Sequence, residues 1–183
     1  AAARTPMGSV LPKVYGGFNN EFSYKNINLS FLIDYRFGNK VLSATNYYTI
    51  FRGLNQMTLE GRETGVVAVG VTKDGGVNSV NVPAQTYYQN LARRISALNV
   101  MDGSFIKLRQ VTLGYSINPK ILGKTPIKAI ELSFVGRNLL TLLKHTDNID
   151  PEAGFSPILS YAGIEGNSLP STRTYGLNLN VKF

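Results

Sequence analysis

Two consecutive stretches near the start of the chain alternate apolar and polar residues. In residues 13–25, Val14, Phe18, Phe22 and Tyr24 share one phase of a two-residue period. In the next stretch, "NINLSFLIDYRF", every second residue is apolar: Ile27, Leu29, Phe31, Ile33, Tyr35 and Phe37. Each stretch is close in length to a transmembrane β-strand, which has ~9–11 residues. The pattern predicts an antiparallel β-hairpin.

Three later stretches have the same period and predict three more strands, at residues 104–117, 127–138 and 174–183. In the first of them, the apolar phase that contains Val111 and Leu113 reaches Lys107 and Arg109 when it is extended backwards. Either a β-bulge shifts the phase near Arg109, or that end of the strand lies beyond the hydrocarbon of a membrane. We favour the second interpretation. The last stretch alternates as far as the terminal Phe183.

Two long segments interrupt this pattern, at about residues 38–103 and 139–173. The first contains a predicted helix that ends at Gly53, a hairpin that turns at residues 74–76, and a second helix that begins near Pro83. A segment of this length with its own elements is typical of a folded functional loop rather than of a linker.

Charged residues follow the alternation of the strands. Most of them take the phase opposite the apolar residues, namely Glu21, Asp34, Arg36, Glu131, Arg137 and Lys182. This sorting matters in a bilayer, because a basic residue on a lipid-facing surface costs ~2–4 kcal/mol at the midplane. A soluble β-sandwich or a lipocalin-like barrel would alternate in the same way. We favour a membrane barrel because very short and very long connections alternate along the chain, and because aromatic residues lie near the strand ends.

Composition narrows the possible functions further. The net charge is +8, but the basic residues are scattered and Arg93-Arg94 is the one tight pair, so nucleic-acid binding is not expected. The 183 residues include no cysteine, which excludes disulfides and thiolate metal sites. No apolar run approaches the ~18 residues of a membrane-spanning helix.

The acidic residues of "DNIDPE" are one candidate site. Asp147, Asp150 and Glu152 could ligate a hard cation such as calcium, which prefers clustered oxygen ligands. Their spacing matches no EF-hand, and Asp before Pro is also common in turns. His145 is the only imidazole and no nucleophile-elbow motif lies near it, so no enzymatic function and no cofactor are expected.

Two tyrosine pairs in the first long segment are a second candidate. Their rings could stack on sugars or contact a partner protein that acts as a lid. The alternative is that they pack the two short helices together, and we favour this packing role. The four residues are Tyr47, Tyr48, Tyr87 and Tyr88.

Four blocks of the chain carry a family resemblance, in this order: "NLSFLIDYRFGNKVLSATN", "SFIKLRQVTLGYS", "VGRNLLTLLKHT" followed by "IDPE", and "PSTRTYGLNLNVKF". Together they resemble the C-terminal end of SusC/RagA-type TonB-dependent outer-membrane transporters of the Bacteroidetes. Asn39 stands where such receptors often have a second glycine, and His145 where they often have an aromatic residue.

The resemblance implies an all-β fold, a transmembrane antiparallel β-barrel segment made of about five C-terminal strands of a larger plugged barrel. The two long segments would be extracellular loops, and the C-terminus would be periplasmic. We expect the plug and the N-terminal domains, including the TonB-contacting part, to lie outside this chain. Phe183 would be the signal that the barrel-assembly machinery reads for insertion into the outer membrane.

The same resemblance implies import of glycans or peptides together with a SusD-like surface lipoprotein. The alternative is a soluble β-sheet ligand-binding module. For the barrel, we expect Asp34, Arg36, Glu131 and Arg137 to face the lumen. We expect the lipid to contact the apolar phase: Leu29, Phe31, Ile33, Leu132, Phe134, Leu177 and Leu179.

Overall fold

The computed structural model describes residues 5–123, 125–154, 158 and 161–183. The short helices Gln56–Leu59 and Ser96–Asn99 are of the 3-10 type. The other elements, in chain order, are β1 (Val14–Tyr24), β2 (Ile27–Phe37), β3 (Lys40–Ser43), α1 (Ala44–Phe51), β4 (Val66–Val67), β5 (Asn81–Val82), α2 (Ala84–Arg94), β6 (Val100–Asp102), β7 (Phe105–Ser116), α3 (Pro119–Leu122), β8 (Ala129–Lys144), β9 (Ile164–Glu165) and β10 (Thr174–Lys182).

The largest element of the fold is a 5-stranded sheet with the order β1-β2-β7-β8-β10. All its neighbouring strands are antiparallel. A turn at residues 25–26 joins β1 to β2, and Lys25 takes a φ of 54° there. We call this end of the sheet the turn end. The opposite end, which carries the long segments 38–104 and 145–173, is the connection end.

The sheet has one apolar and one polar face. On the apolar face, one row of paired residues crosses all the strands: Phe22, Leu29, Leu113, Phe134 and Leu177. The exposed fraction of these side chains runs from 37% at Leu29 to 77% at Leu177. The adjacent row on the polar face contains Glu21, Ser30, Thr112, Val135 and Gly176.

The predicted sorting of charged and apolar residues in β2 is confirmed. This strand pairs with β1 without interruption, so Phe31 and Arg36, which are an odd number of residues apart, lie on opposite faces. Asp34 shares the polar face with Arg36. The sequence pattern therefore gives the correct phase of the strand.

Our favoured interpretation of Lys107 and Arg109 is wrong, because the pairing of β2 with β7 contains a bulge. Ile33 pairs with Leu108 and Leu32 with Gln110, which leaves Arg109 as the extra residue. The extra residue shifts the phase of β7, so that Lys107 lies opposite Asp34 on the polar face.

The second long segment begins later than the predicted residue 139. Strand β8 continues to Lys144, past an irregularity where Asn138 has a φ of 52°. Beyond this point Leu140 pairs with Leu108, and Lys144 pairs with Phe105. The second connection is therefore residues 145–173, and the first connection is residues 38–104.

The first connection has its own small core between two helices. Ile50 of α1 packs with Ala84, Tyr88 and Ala92 of α2, and all four are buried. The predicted hairpin is also present, since β4 pairs with β5 and Val71 pairs with Val77. No helix in the described part of the chain is long and apolar enough to cross a membrane.

Candidate functional site

A group of five charged side chains joins the polar face to the second connection. We call it the anchor cluster, and its members are Asp34, Lys107, Arg109, Asp150 and Glu152. Its centre is Lys107, which is 4% exposed. The Lys107 ammonium donates to Asp150 Oδ1 at 2.6 Å and to Glu152 Oε2 at 2.7 Å. One cation thus holds two carboxylates of the second connection.

Arg109 completes this cluster from the bulge. Its guanidinium donates to both oxygens of Glu152, at 2.9 and 2.7 Å, and it also donates to Asp34 of β2. A further bond at 3.2 Å reaches the Asn138 side chain of β8. Bidentate hydrogen bonds between a guanidinium and a carboxylate are strong, and they fix the relative orientation of the two side chains. Three neighbouring strands and the second connection therefore meet at this guanidinium.

The two acidic residues that the second connection contributes to the anchor cluster are held in their charged form. Burial raises the pKa of Asp150, but the bonds from Lys107 and Ser171 outweigh it and leave the pKa well below its usual range. Ser171 donates its N–H at 3.0 Å and its hydroxyl at 2.6 Å. Burial likewise raises the pKa of Glu152, and the bonds from Arg109 and Lys107 bring it below the usual value.

Glu165 joins the two connections to each other. Its strand β9 pairs in parallel with β3, and its side chain is 0% exposed. The carboxylate accepts from the hydroxyls of Ser43 and Thr45, both at 2.8 Å, and from the Thr45 N–H at 3.1 Å. Burial raises the pKa of Glu165, and these bonds together with that of Ser168 lower it overall. It thereby caps the first turn of α1 from the other connection.

A cavity of about 620 Å³ lies between the connection end of the sheet and the second connection. Lys107 and Asp150 line it, so it abuts the anchor cluster. Its other polar lining includes two cations and several neutral hydrogen-bonding groups, namely Lys144, Arg173, Thr45, Thr141, Asn148, Asn167 and Ser168.

The three predicted metal ligands are placed differently from one another. Asp150 and Glu152 belong to the anchor cluster, while Asp147 is exposed. Within the described ranges, no group of three or more His, Cys, Asp or Glu side chains could hold a metal ion. Metal ligation by these residues stays a prediction, and a metal would have to displace Lys107 and Arg109.

The tyrosine pairs contribute mainly to the packing of the first connection. Tyr88 is 5% exposed, and its hydroxyl donates to the Glu60 carbonyl at 3.3 Å. Tyr47 and Tyr87 pack against the same core. Tyr48 is the member that reaches the surface, with 47% of its area exposed. A ligand or lid contact of these residues remains a prediction, and Tyr48 is the best placed to make one.

Phe183 lies just beyond β10 at the turn end of the sheet. Its ring is exposed, and its carbonyl accepts a bond of 3.0 Å from the Lys128 ammonium. The strand itself pairs with β8 over its whole length, from Thr174 with Arg137 to Lys182 with Ala129. The aromatic end is thus accessible to a binding partner.

The curated proteins that match this chain in sequence are named as TonB-dependent receptors. The chain is 29% identical over its whole length to TonB-dependent receptor P3 of Formosa agariphila, and 31% identical over 97% of its length to TonB-dependent receptor P26 of the same organism. This chain is a homologue of TonB-dependent receptors. It spans only 17% and 18% of the length of these two receptors. No family model matches the sequence.

Solved structures agree with the fold of this receptor homologue. The chain superimposes on part of the RagAB peptide importer in its closed-closed state, with a TM-score of 0.69, 23% identity, and coverage of 97% of this chain and 18% of that one. The open-open state of the same importer also gives a TM-score of 0.69, with 23% identity and coverage of 96% and 18%. The expectation that the chain is not an enzyme is confirmed, since its homologues are receptors.

Sequence reasoning missed part of this site. It noticed that Lys107 and Arg109 break the alternation, which is the signal of the bulge, but it did not pair them with Asp150 and Glu152. The sequence pattern did not indicate a role for Glu165. The residue lies in a short stretch without periodicity, where neither a motif nor a spacing indicates that its carboxylate will be buried.

Proposed function

We propose that the chain is part of the barrel wall of a TonB-dependent outer-membrane importer. The observation that carries this proposal is the division of the sheet into two faces. The apolar face remains uncovered across all the strands of the sheet, while the charges of Asp34, Lys107 and Arg109 lie on the other face. Uncovered apolar surface of this extent marks a contact with lipid or protein.

In this proposal the apolar face contacts the outer-membrane lipid and the polar face lines the lumen. The connection end lies outside the cell, and the turn end with Phe183 lies in the periplasm. The alternation of short turns and long connections supports this orientation, since bacterial outer-membrane barrels have short periplasmic turns and longer extracellular loops. Phe183 is then available to the barrel-assembly machinery.

The substrates that we propose are glycans or peptides, admitted with the help of a SusD-like surface lipoprotein. The resemblance of the fold to RagAB, a peptide importer, supports a peptide substrate, and the relatives named TonB-dependent receptors support the receptor role. TonB would act through parts of the receptor outside these residues. The first connection would contact the lipoprotein.

Spin labels can test the facing directly. This chain contributes no cysteine, so in a receptor whose other cysteines have been replaced, Leu113→Cys and Thr112→Cys each give a single label, on adjacent residues at opposite faces of the central strand β7. The measurement is the collision rate of each label with oxygen, which concentrates in lipid, and with a water-soluble nickel complex. It is made on the full-length receptor in bilayers.

We expect the label at residue 113 to collide with oxygen and not with nickel, and the label at residue 112 to show more nickel contact. The alternative, a soluble ligand-binding module, would bury residue 113 in a protein core, so that both reagents would be excluded from it. Exclusion of oxygen from residue 113 would therefore refute the barrel proposal.

A further inference from the structure

Near the connection end of the sheet, the carboxylates of the anchor cluster all have cationic partners, but several cations have no carboxylate partner within the ranges that the structure describes. The three carboxylates Asp34, Asp150 and Glu152 are all bonded to Lys107 or Arg109. Several other cations on the polar face or beside it have no carboxylate within 4.0 Å in the described part of the chain. They are Arg36, Arg137, Lys144 and Arg173.

Two of these cations line the same cavity of about 620 Å³, namely Lys144 and Arg173. The Lys144 ammonium lies 3.4 Å from the Ile149 carbonyl, which places it at the cavity wall. Both side chains are exposed. An ammonium and a guanidinium that share a cavity without a carboxylate partner favour the entry of a negative charge.

The rest of the polar lining does not cancel this charge. Among the described residues that line the cavity, Asp150 is the only carboxylate, and both of its oxygens accept hydrogen bonds. Oδ1 accepts from Lys107 and from the Glu152 N–H, and Oδ2 accepts from Ser171. The neutral groups of Thr141, Asn148 and Asn167 can donate hydrogen bonds to a ligand.

We propose that this cavity binds the carboxylate groups of the imported substrate. The inference rests on the proposed function and names the chemical class of the substrate. The volume lies within the ~300–1,000 Å³ of small-molecule sites, which suits one or two residues of an oligomer. Arg173 supplies a planar fork for the anion, and Lys144 supplies a point charge.

The experiment is calorimetric titration of the full-length receptor in detergent at low ionic strength. The anionic probes are trigalacturonate and a triglutamate peptide, and the neutral probes are maltotriose and a triglutamine peptide. The test variant is Lys144→Gln with Arg173→Gln. The control is Lys25→Gln with Lys120→Gln, which removes the same charge at exposed positions that do not line the cavity.

We expect at least one anionic probe to bind more tightly than its neutral counterpart. The test variant removes two charged hydrogen-bond donors, so it should weaken anion binding by about tenfold or more. The control variant should bind the anionic probe like the wild type. The anionic probe that binds identifies the source of the charged group, sugar or peptide.

Two results would overturn the inference. One is that neither anionic probe binds better than its neutral counterpart. The other is that the control variant loses as much affinity as the test variant, which would assign the effect to overall charge. The two experiments can fail separately. If the titration fails while the spin label at residue 113 still contacts lipid, the anion site is refuted and the proposed function is not.

Discussion

Replacement of Lys107 by methionine removes the cation that two carboxylates of the second connection share. The side chain is buried and its ammonium bonds to Asp150 at 2.6 Å and Glu152 at 2.7 Å. Methionine keeps a similar length and adds no charge. We expect the second connection to open locally from the polar face, while the sheet keeps its strand pairing.

The magnitude follows from what remains bonded after the replacement. Loss of one partner of a buried ion pair costs ~3–5 kcal/mol, because the remaining charge is left without compensation. Here Glu152 retains Arg109, and Asp150 retains Ser171. The cost should therefore lie near the lower value, about 3 kcal/mol, which is about a hundredfold in the opening equilibrium.

The assay is amide hydrogen exchange of the full-length receptor, read from peptides that cover residues 145–154 and 165–173. The control is Lys40→Met, which breaks the ion pair of Lys40 with Asp102. That pair is 3.6 Å long and its side chains are 39% and 41% exposed. Exposed pairs contribute ~0–1 kcal/mol, so the control should change exchange by less than about fivefold. Equal exchange in the two variants would refute the anchoring role of Lys107.

The remaining predictions concern the junction of the connections, acid sensitivity and the C-terminus. Glu165→Gln should raise hydrogen exchange in α1, because Ser43 and Thr45 lose their charged acceptor. We expect this loss to destabilise the start of α1 by about 1–3 kcal/mol. Unchanged exchange in α1 would contradict this. Because the pKa values of Asp150 and Glu152 are lowered in the folded protein, their stabilisation is present above the ordinary carboxyl pKa and is lost as the pH falls through the lowered values. A spin label in the second connection should therefore keep its mobility from pH 7 to about pH 5 and become more mobile below about pH 4; a change between pH 7 and 5 would contradict this. Deletion of Phe183 removes an aromatic side chain whose burial contributes at most ~1.5–3 kcal/mol, so it should lower the amount of receptor in the outer membrane without a large change in melting temperature. Normal abundance in membrane fractions would show that the terminal ring is not an assembly signal.

Local periodicity was sufficient to predict the first hairpin and its two faces. The hairpin of β1 and β2 has an uninterrupted register, so each side chain's face depends only on its position in the alternation. The helices of the first connection were also predictable, since α1 ends before Gly53 with its φ of 73° and α2 begins after Pro83.

Features that depend on distant partners could not be predicted in this way. A bulge at Arg109 and a regular strand that continues beyond the membrane give the same sequence pattern, and the choice depends on Asp34 and on Glu152, 43 residues away. The extension of β8 was missed because the irregularity near Asn138 breaks the two-residue period, so residues 139–143 no longer alternate. The burial of Glu165 depends on a strand pairing across 122 residues with Ser43.

The bulge links the facing of the sheet to the position of the second connection. In a regular strand Arg109 would share the apolar face with Val111 and Leu113, and a basic residue there would cost ~2–4 kcal/mol at the midplane of a bilayer. The extra residue instead directs the guanidinium to the polar face, where it bonds to Asp34 and Glu152. A connection that carried no carboxylate at residue 152 would leave half of this fork without a partner. The charge of Arg109 therefore constrains both structures at once, since the bulge that keeps the apolar face free of charge also places the guanidinium where it holds the second connection at Glu152.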